Sequence, residues 1–132
     1  MSIDPHIILS ALDSVLQPWN LVFLVLGVVG GLLVGIVPGL GPTLAVALLI
    51  PVTFTMPPEA GLSLLIAVYV GGMSGGFVTA ILIRMPGTPA SMATLLDGFP
   101  MARKGKAGQA IGNAIVANFA GTIISAICLV TF

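Results

Sequence analysis

Between Ser14 and Pro58 the chain carries no charged residue, and at the centre of that run stands Pro38-Gly39-Leu40-Gly41-Pro42. The run is long and apolar enough to sit in a membrane. Yet these five residues cannot be ordinary helix, because proline lacks an amide donor and glycine is a weak helix former. In hydrocarbon, every backbone group released from a helix must be satisfied by protein or by water in a cavity. In secondary transporters, helices broken at membrane depth hold substrate or coupling ion.

Composition sets the solvent. Of 132 residues, 58% are hydrophobic and 6% charged, where a soluble domain carries about 25% charged residues. Mean hydropathy is +1.21. A soluble fold of this length could not hide so much apolar surface, so the surroundings are lipid. The fold class that follows is an all-α membrane protein. It is polytopic, with two segments that are broken or re-entrant at Pro and Gly. Four basic residues cannot form a nucleic-acid footprint. The single Cys128 excludes a disulfide within the chain and a cysteine-based metal site. One His, one Cys and four widely spaced acids are poor material for an enzyme. The expectation is no enzyme, no cofactor and no metal. Asp4 and Asp13 without any nearby Lys or Arg do not read as a cleaved signal peptide. The apolar ending Leu129-Val130-Thr131-Phe132 reads as the interior of a longer protein, with a complete small membrane protein as the alternative.

Two regions are expected. Residues 1–18 hold a short amphipathic helix over 4–17, with Asp4 as N-cap and Pro5 in the first turn. Ile8, Leu12, Val15 and Leu16 fall at helical spacing, which suits an interfacial position. A packing helix of a larger assembly is the other reading. Pro18 is expected to end it, with Trp19 as an interfacial anchor. Residues 19–132 form the transmembrane region. Trp19 to Val37 is a helix whose Gly27, Gly31 and Gly35 let a neighbour approach closely. Thr43 to Ile50 is a half-helix, followed by Pro51 and a loop over 53–60. Gly61 to Ile83 is long enough to span, but Gly71-Gly72-Met73-Ser74-Gly75-Gly76 predicts local unwinding or very close packing. Asp97 before Gly98 is expected to shape a turn. Ala107 to Phe132 is another uncharged span, with Asn113 and Asn118 inside it.

Basic residues set the orientation. Arg103, Lys104 and Lys106 cluster in one short loop, with Arg84 near it, whereas the loop around Glu59 has neither Lys nor Arg. The positive-inside rule puts 97–106 in the cytoplasm and 53–60 outside. The segment 19–50 either crosses once or dips in and returns.

The break at Pro38 has a counterpart. Pro38-Gly39-Leu40-Gly41-Pro42-Thr43 and Pro86-Gly87-Thr88-Pro89-Ala90-Ser91 both read Pro-Gly, a short spacer, Pro, then a small or hydroxyl residue. Proline suits the first turn of a helix, so Pro42 and Pro89 each open a half-helix capped by Gly41 and Thr88. A helix N-terminus offers unpaired amides and about half a positive charge, which attract anions. Thr43, Thr88 and Ser91 add hydroxyl donors. The candidate substrate site is therefore Pro38, Gly39, Leu40, Gly41, Pro42, Thr43, Pro86, Gly87, Thr88, Pro89 and Ser91, most naturally for carboxylate. The alternative is a pair of kinked packing turns, and the unwound carbonyls could equally join a Na⁺ site.

These residues carry a resemblance. Gly35-Ile36-Val37-Pro38-Gly39-Leu40-Gly41-Pro42 resembles the glycine-rich signature of the large permease subunit (TctA family) of tripartite tricarboxylate transporters. Met85 to Ser91, followed by Asp97 to Gly105, is similar to that family's second signature. The resemblance spans about residues 20–125, and it matches the N-terminal part of a far longer protein. It implies a multi-pass permease of the bacterial inner membrane, taking up citrate or a related organic anion with a Na⁺ or H⁺ gradient. The implied partners are a small membrane subunit and a periplasmic solute-binding protein. The rival is a structural or assembly membrane subunit without its own substrate site, which leaves the duplicated Pro-Gly motif unexplained. Outside the motifs, Arg84 reads as snorkelling to headgroups or as a carboxylate partner at an inner gate. Asn113 and Asn118 read as interhelical bonds or as lining of the path.

Overall fold

Prolines start most of the helices. In the computed structural model, which describes residues 5–131, α1 is Pro5–Val15, α2 Pro18–Ile36, α3 Pro42–Thr53 and α4 Pro58–Ile83. A single 3-10 turn, Pro89–Ser91, leads straight into α5 Met92–Arg103, and α6 is Ala107–Thr131. Pro18, Pro42, Pro58 and Pro89 each sit in a first turn, where the missing amide costs nothing and φ is already helical. The described residues are thus all helix and connection, without a strand. Three helices, α2, α4 and α6, are long and apolar enough to cross a membrane. The N-cap assigned to Asp4 lies outside the described residues.

Glycines set how the helices pack. An added Cβ on Gly27 would lie 2.7 Å from the Cβ of Ala67, one on Gly31 would strike the Val68 carbonyl, and one on Gly35 the Gly72 carbonyl. From α4, a Cβ on Gly75 would lie 2.5 Å from the Leu32 oxygen. From Gly31 to Gly35, backbone therefore meets backbone. Residue numbers rise together on both helices, so α2 and α4 run parallel. On α3 they run oppositely: Pro42 meets the Gly72 position at 2.7 Å and Thr53 the Gly61 position at 3.1 Å. The segment through α2 and α3 is thus a helical hairpin whose two ends lie at the start of α4, the dip-and-return alternative. Ala45, Leu64 and Val68 close its apolar centre, with Phe23, Val34 and Leu49 against them. On the other side of α4, Asn118 Nδ2 of α6 donates to Ser74 Oγ at 3.4 Å. This is the interhelical bond expected of an amide in an apolar helix.

Several boundaries differ from the sequence reading. Pro18 does not end α1, which stops at Val15; Pro18 opens α2. The corner is tied by Asn20, buried, whose Nδ2 donates to the Ser14 carbonyl at 2.6 Å. The half-helix does not stop at Ile50 but continues through Pro51 to Thr53, and the connection is only 54–57. Likewise 97–100 is no turn: Asp97, Gly98 and Pro100 lie inside α5, so the basic loop is only 104–106. Both prolines fall near a helix C-terminus, where each removes a single hydrogen bond. The stop signal of α5 is Gly105 at φ +77, with Gly105 N–H donating to Ala102 O and Lys106 N–H to Met101 O, both at 3.0 Å. That is a Schellman cap. The glycines over 71–76 do not unwind α4; close packing is what they serve.

Candidate functional site

Both Pro-Gly motifs break the helix where the sequence places them. The first leaves Val37 to Gly41 non-helical between α2 and α3. Gly39 turns the chain at φ +91, a conformation that L side chains resist. Gly41 is the extended N-cap of α3 and Pro42 its first residue. The second leaves 84–88 non-helical after α4, which ends with Arg84 at φ 59. Thr88 is the extended N-cap of the 3-10 turn and Pro89 its first residue.

The structure brings the two motifs together on one face of α4. A Cβ on Gly72 would lie 2.7 Å from Pro42 Cβ, and one on Gly76 would lie 3.0 Å from Thr88 Cγ2. Positions 72 and 76 are one turn apart on the same helix face, about 6 Å along the axis. A third glycine ties the knot. A Cβ on Gly87 would meet Gly35 O at 2.7 Å and Gly76 Cα at 2.8 Å. The carbonyl at the end of α2 therefore touches the second motif directly.

The directions are opposed. From its tip beside Gly72, α3 runs back toward the start of α4. From its tip beside Gly76, the second helix runs toward the end of α4, where a Cβ on Gly98 would meet Ile81 Cγ1 at 2.7 Å. Two helix N-termini thus face each other across one turn of α4. Both lie within the length of that helix, about 21 Å from its first residue and about 10 Å from its last. Each N-terminus carries about half a positive charge. No carboxylate lies among the motif residues to offset it.

The candidate donors divide into two kinds. Thr88 and Ser91 are buried and spend their hydroxyls on each other. Ser91 N–H donates to Thr88 Oγ1 at 3.2 Å, Thr88 N–H donates to Ser91 Oγ at 3.1 Å, and Ser91 Oγ donates to the Thr88 carbonyl at 2.7 Å. This reciprocal capping box holds the second tip in shape. Thr43 is different. It is exposed, and among the described residues neither its amide nor its hydroxyl has a partner. The amide of Ala90, exposed at the opposite tip, is likewise unpaired among the described residues. Pro38, Gly39, Leu40 and Pro89 are exposed, Gly41 and Pro86 half-buried, and Pro42 and Gly87 buried. The sequence reading did not include Ala90. Its signal was position, since it is the second residue of the turn that Pro89 opens.

The remaining polar residues lie elsewhere. Arg84 stands over the Phe99 ring at 5.5 Å, away from the tips. Asn113 lines a separate cleft of about 390 Å³ with Thr94, Asp97 and Asn118. Thr79 Oγ1 donates to Gly76 O at 3.2 Å within α4.

Comparison with known proteins agrees with the two motifs. The model of the tripartite tricarboxylate transporter TctA family matches residues 21–132. A curated relative from Agrobacterium vitis is 44% identical over 117 residues, covering 89% of this chain and 23% of its own length. It is described as an uncharacterized 52.8 kDa protein in the TAR-I ttuC' 3' region. The chain therefore spans about a quarter of the curated relative it matches. No solved structure matches.

Proposed function

Because the chain belongs to the tripartite tricarboxylate transporter TctA family, we propose that it supplies the anion-binding tips of a permease for tricarboxylates or related organic anions. A Na⁺ or H⁺ gradient drives uptake. A periplasmic binding protein delivers the substrate, and a small membrane subunit completes the bacterial inner-membrane complex. One observation supports this reading above the others: the two N-termini opposed on the glycine face of α4. Like dipole ends repel, and an anion between them removes the repulsion while accepting from the free amides of Thr43 and Ala90 and from the Thr43 hydroxyl. A carboxylate gains more here than a neutral solute does, because charge-assisted hydrogen bonds are the strong ones. An assembly subunit would need the glycines for packing but has no use for two helix N-termini opposed across one turn of α4.

Uptake of radiolabelled citrate by the full-length protein with its partners tests this. Among the described residues Thr43 has no hydrogen-bond partner to lose, so Thr43→Val leaves abundance unchanged. It removes one hydrogen bond to a charged group, worth about 1.5–3 kcal/mol, and raises KM by about tenfold or more. Thr43→Ser restores it. Gly39→Val, strained at φ +91, and Gly87→Val, blocked by Gly35, abolish uptake. Normal uptake by Thr43→Val and Gly39→Val at normal abundance would favour the assembly subunit instead.

A further inference from the structure

We propose that the cleft between the C-terminal end of α4 and α5 binds the phosphate of an anionic phospholipid. The cleft measures about 510 Å³ and is lined by Arg84, Arg103, Phe99, Met92, Leu96 and Pro100. Two of the four basic residues of the chain thus share it. Among the described residues neither arginine forms an ion pair, and no acidic side chain lines the cleft. Two like charges held in one cleft without a counter-charge call for an anion. A guanidinium offers a planar fork of donors that matches phosphate oxygens.

The local structure holds Arg84 in place. The backbone of Arg84 is left-handed, and its N–H donates to the Thr79 carbonyl at the end of α4. Its guanidinium lies over the Phe99 ring at 5.5 Å. A ring beneath a guanidinium attracts it through its face and leaves its edge N–H groups free. Arg103 comes from the last turn of α5.

Charge alone would fit any anion; the rim selects lipid. Met92 and Leu96 of the lining are more than half exposed, as are Ile83 and Met85, the chain neighbours of Arg84. A small carboxylate gains nothing from them, whereas acyl chains cover them. The cleft also stands at the end of a helix long enough to span a membrane, where headgroups lie. It is separate from the helix tips: none of its lining residues belongs to either Pro-Gly tip. The ligand is therefore amphiphilic, a phosphate on a diacyl chain.

The test uses the full-length protein in detergent, with lipid retention read by native mass spectrometry. Phosphatidylglycerol is the anionic probe and phosphatidylcholine the zwitterionic one. The expected result is preferential binding of phosphatidylglycerol. Arg84→Gln and Arg103→Gln each weaken it by about tenfold. Lys106→Gln, in the neighbouring basic loop but outside the cleft, leaves it within about twofold. Arg103 is exposed at a helix end, so its variant folds even if Arg84→Gln does not. Equal binding of the two lipids overturns the proposal. So does an equal loss in Lys106→Gln, which would mean diffuse charge attraction. Free glycerol 3-phosphate that displaced phosphatidylglycerol from this cleft at equal concentration would overturn the lipid assignment.

Discussion

Gly30 and Gly75 belong to the same helix pair, and the structure gives them opposite fates. A Cβ on Gly30 meets nothing within 4 Å. A Cβ on Gly75 lies 2.5 Å from Leu32 O and 2.9 Å from Gly35 C. Carbon prefers about 3.5 Å or more from such atoms, so α2 and α4 must part by about 1 Å. Neither contact is a flexible side chain that can swing away. Overpacking of this kind costs about 1–3 kcal/mol, against which alanine returns up to about 1 kcal/mol of helix propensity. Gly30→Ala keeps only the gain. The propensity gain is common to both, so the two variants should differ by the overpacking cost alone, about 1–3 kcal/mol, with Gly75→Ala the less stable. Denaturant unfolding of the full-length protein in mixed micelles measures the difference. The double variant Gly35→Ala with Gly75→Ala should cost less than the sum, since helices already parted have room for the second methyl. Parting also draws Gly35 away from Gly87, so uptake should fall further than stability alone requires. If Gly75→Ala proved as stable as Gly30→Ala, the backbone contact between α2 and α4 would be wrong, and with it the placement of both tips.

Three further outcomes follow from the same contacts. Thr88→Ala breaks the capping box and should lower stability by about 1 kcal/mol in the same unfolding assay, whatever substrate is present. Asn118→Leu removes the bond to Ser74 and should cost about 0.6 kcal/mol, with Ser74→Ala adding nothing in the double variant. Lys106→Cys should resist membrane-impermeant maleimide in intact cells, because the basic loop 104–106 is expected to face the cytoplasm; labelling from outside would reverse the orientation.

Much of the local geometry of the candidate site was readable because its signals are local. Pro42 and Pro89 open helices wherever they occur, and Gly41 and Thr88 precede them at the cap position. Hydropathy alone located the long helices. What could not be read was pairing across the chain. Nothing in the sequence says that Gly72 receives Pro42 and Gly76 receives Thr88, or that α2 and α4 run parallel. Those facts decide between crossing and returning for residues 19–50. Pro51 and Pro100 misled because a proline near a helix end costs one bond, which packing and the following cap outweigh. The glycines over 71–76 were ambiguous for a related reason. Their intrinsic cost to a helix is real, but the groups that occupy their empty side lie far along the chain: about forty residues earlier for Gly71 and Gly75, at Pro42 for Gly72 and at Thr88 for Gly76. Thr88 and Ser91 illustrate a different limit. Their hydroxyls suit a ligand by type, but the structure turns them on each other.

The most direct measurement is a cryo-EM map of the full-length protein with citrate. Ligand density is expected between the α3 tip and the Pro89 tip, within hydrogen-bond reach of the Thr43 and Ala90 amides. Density bound elsewhere, with these two amides facing acyl chains, would contradict it.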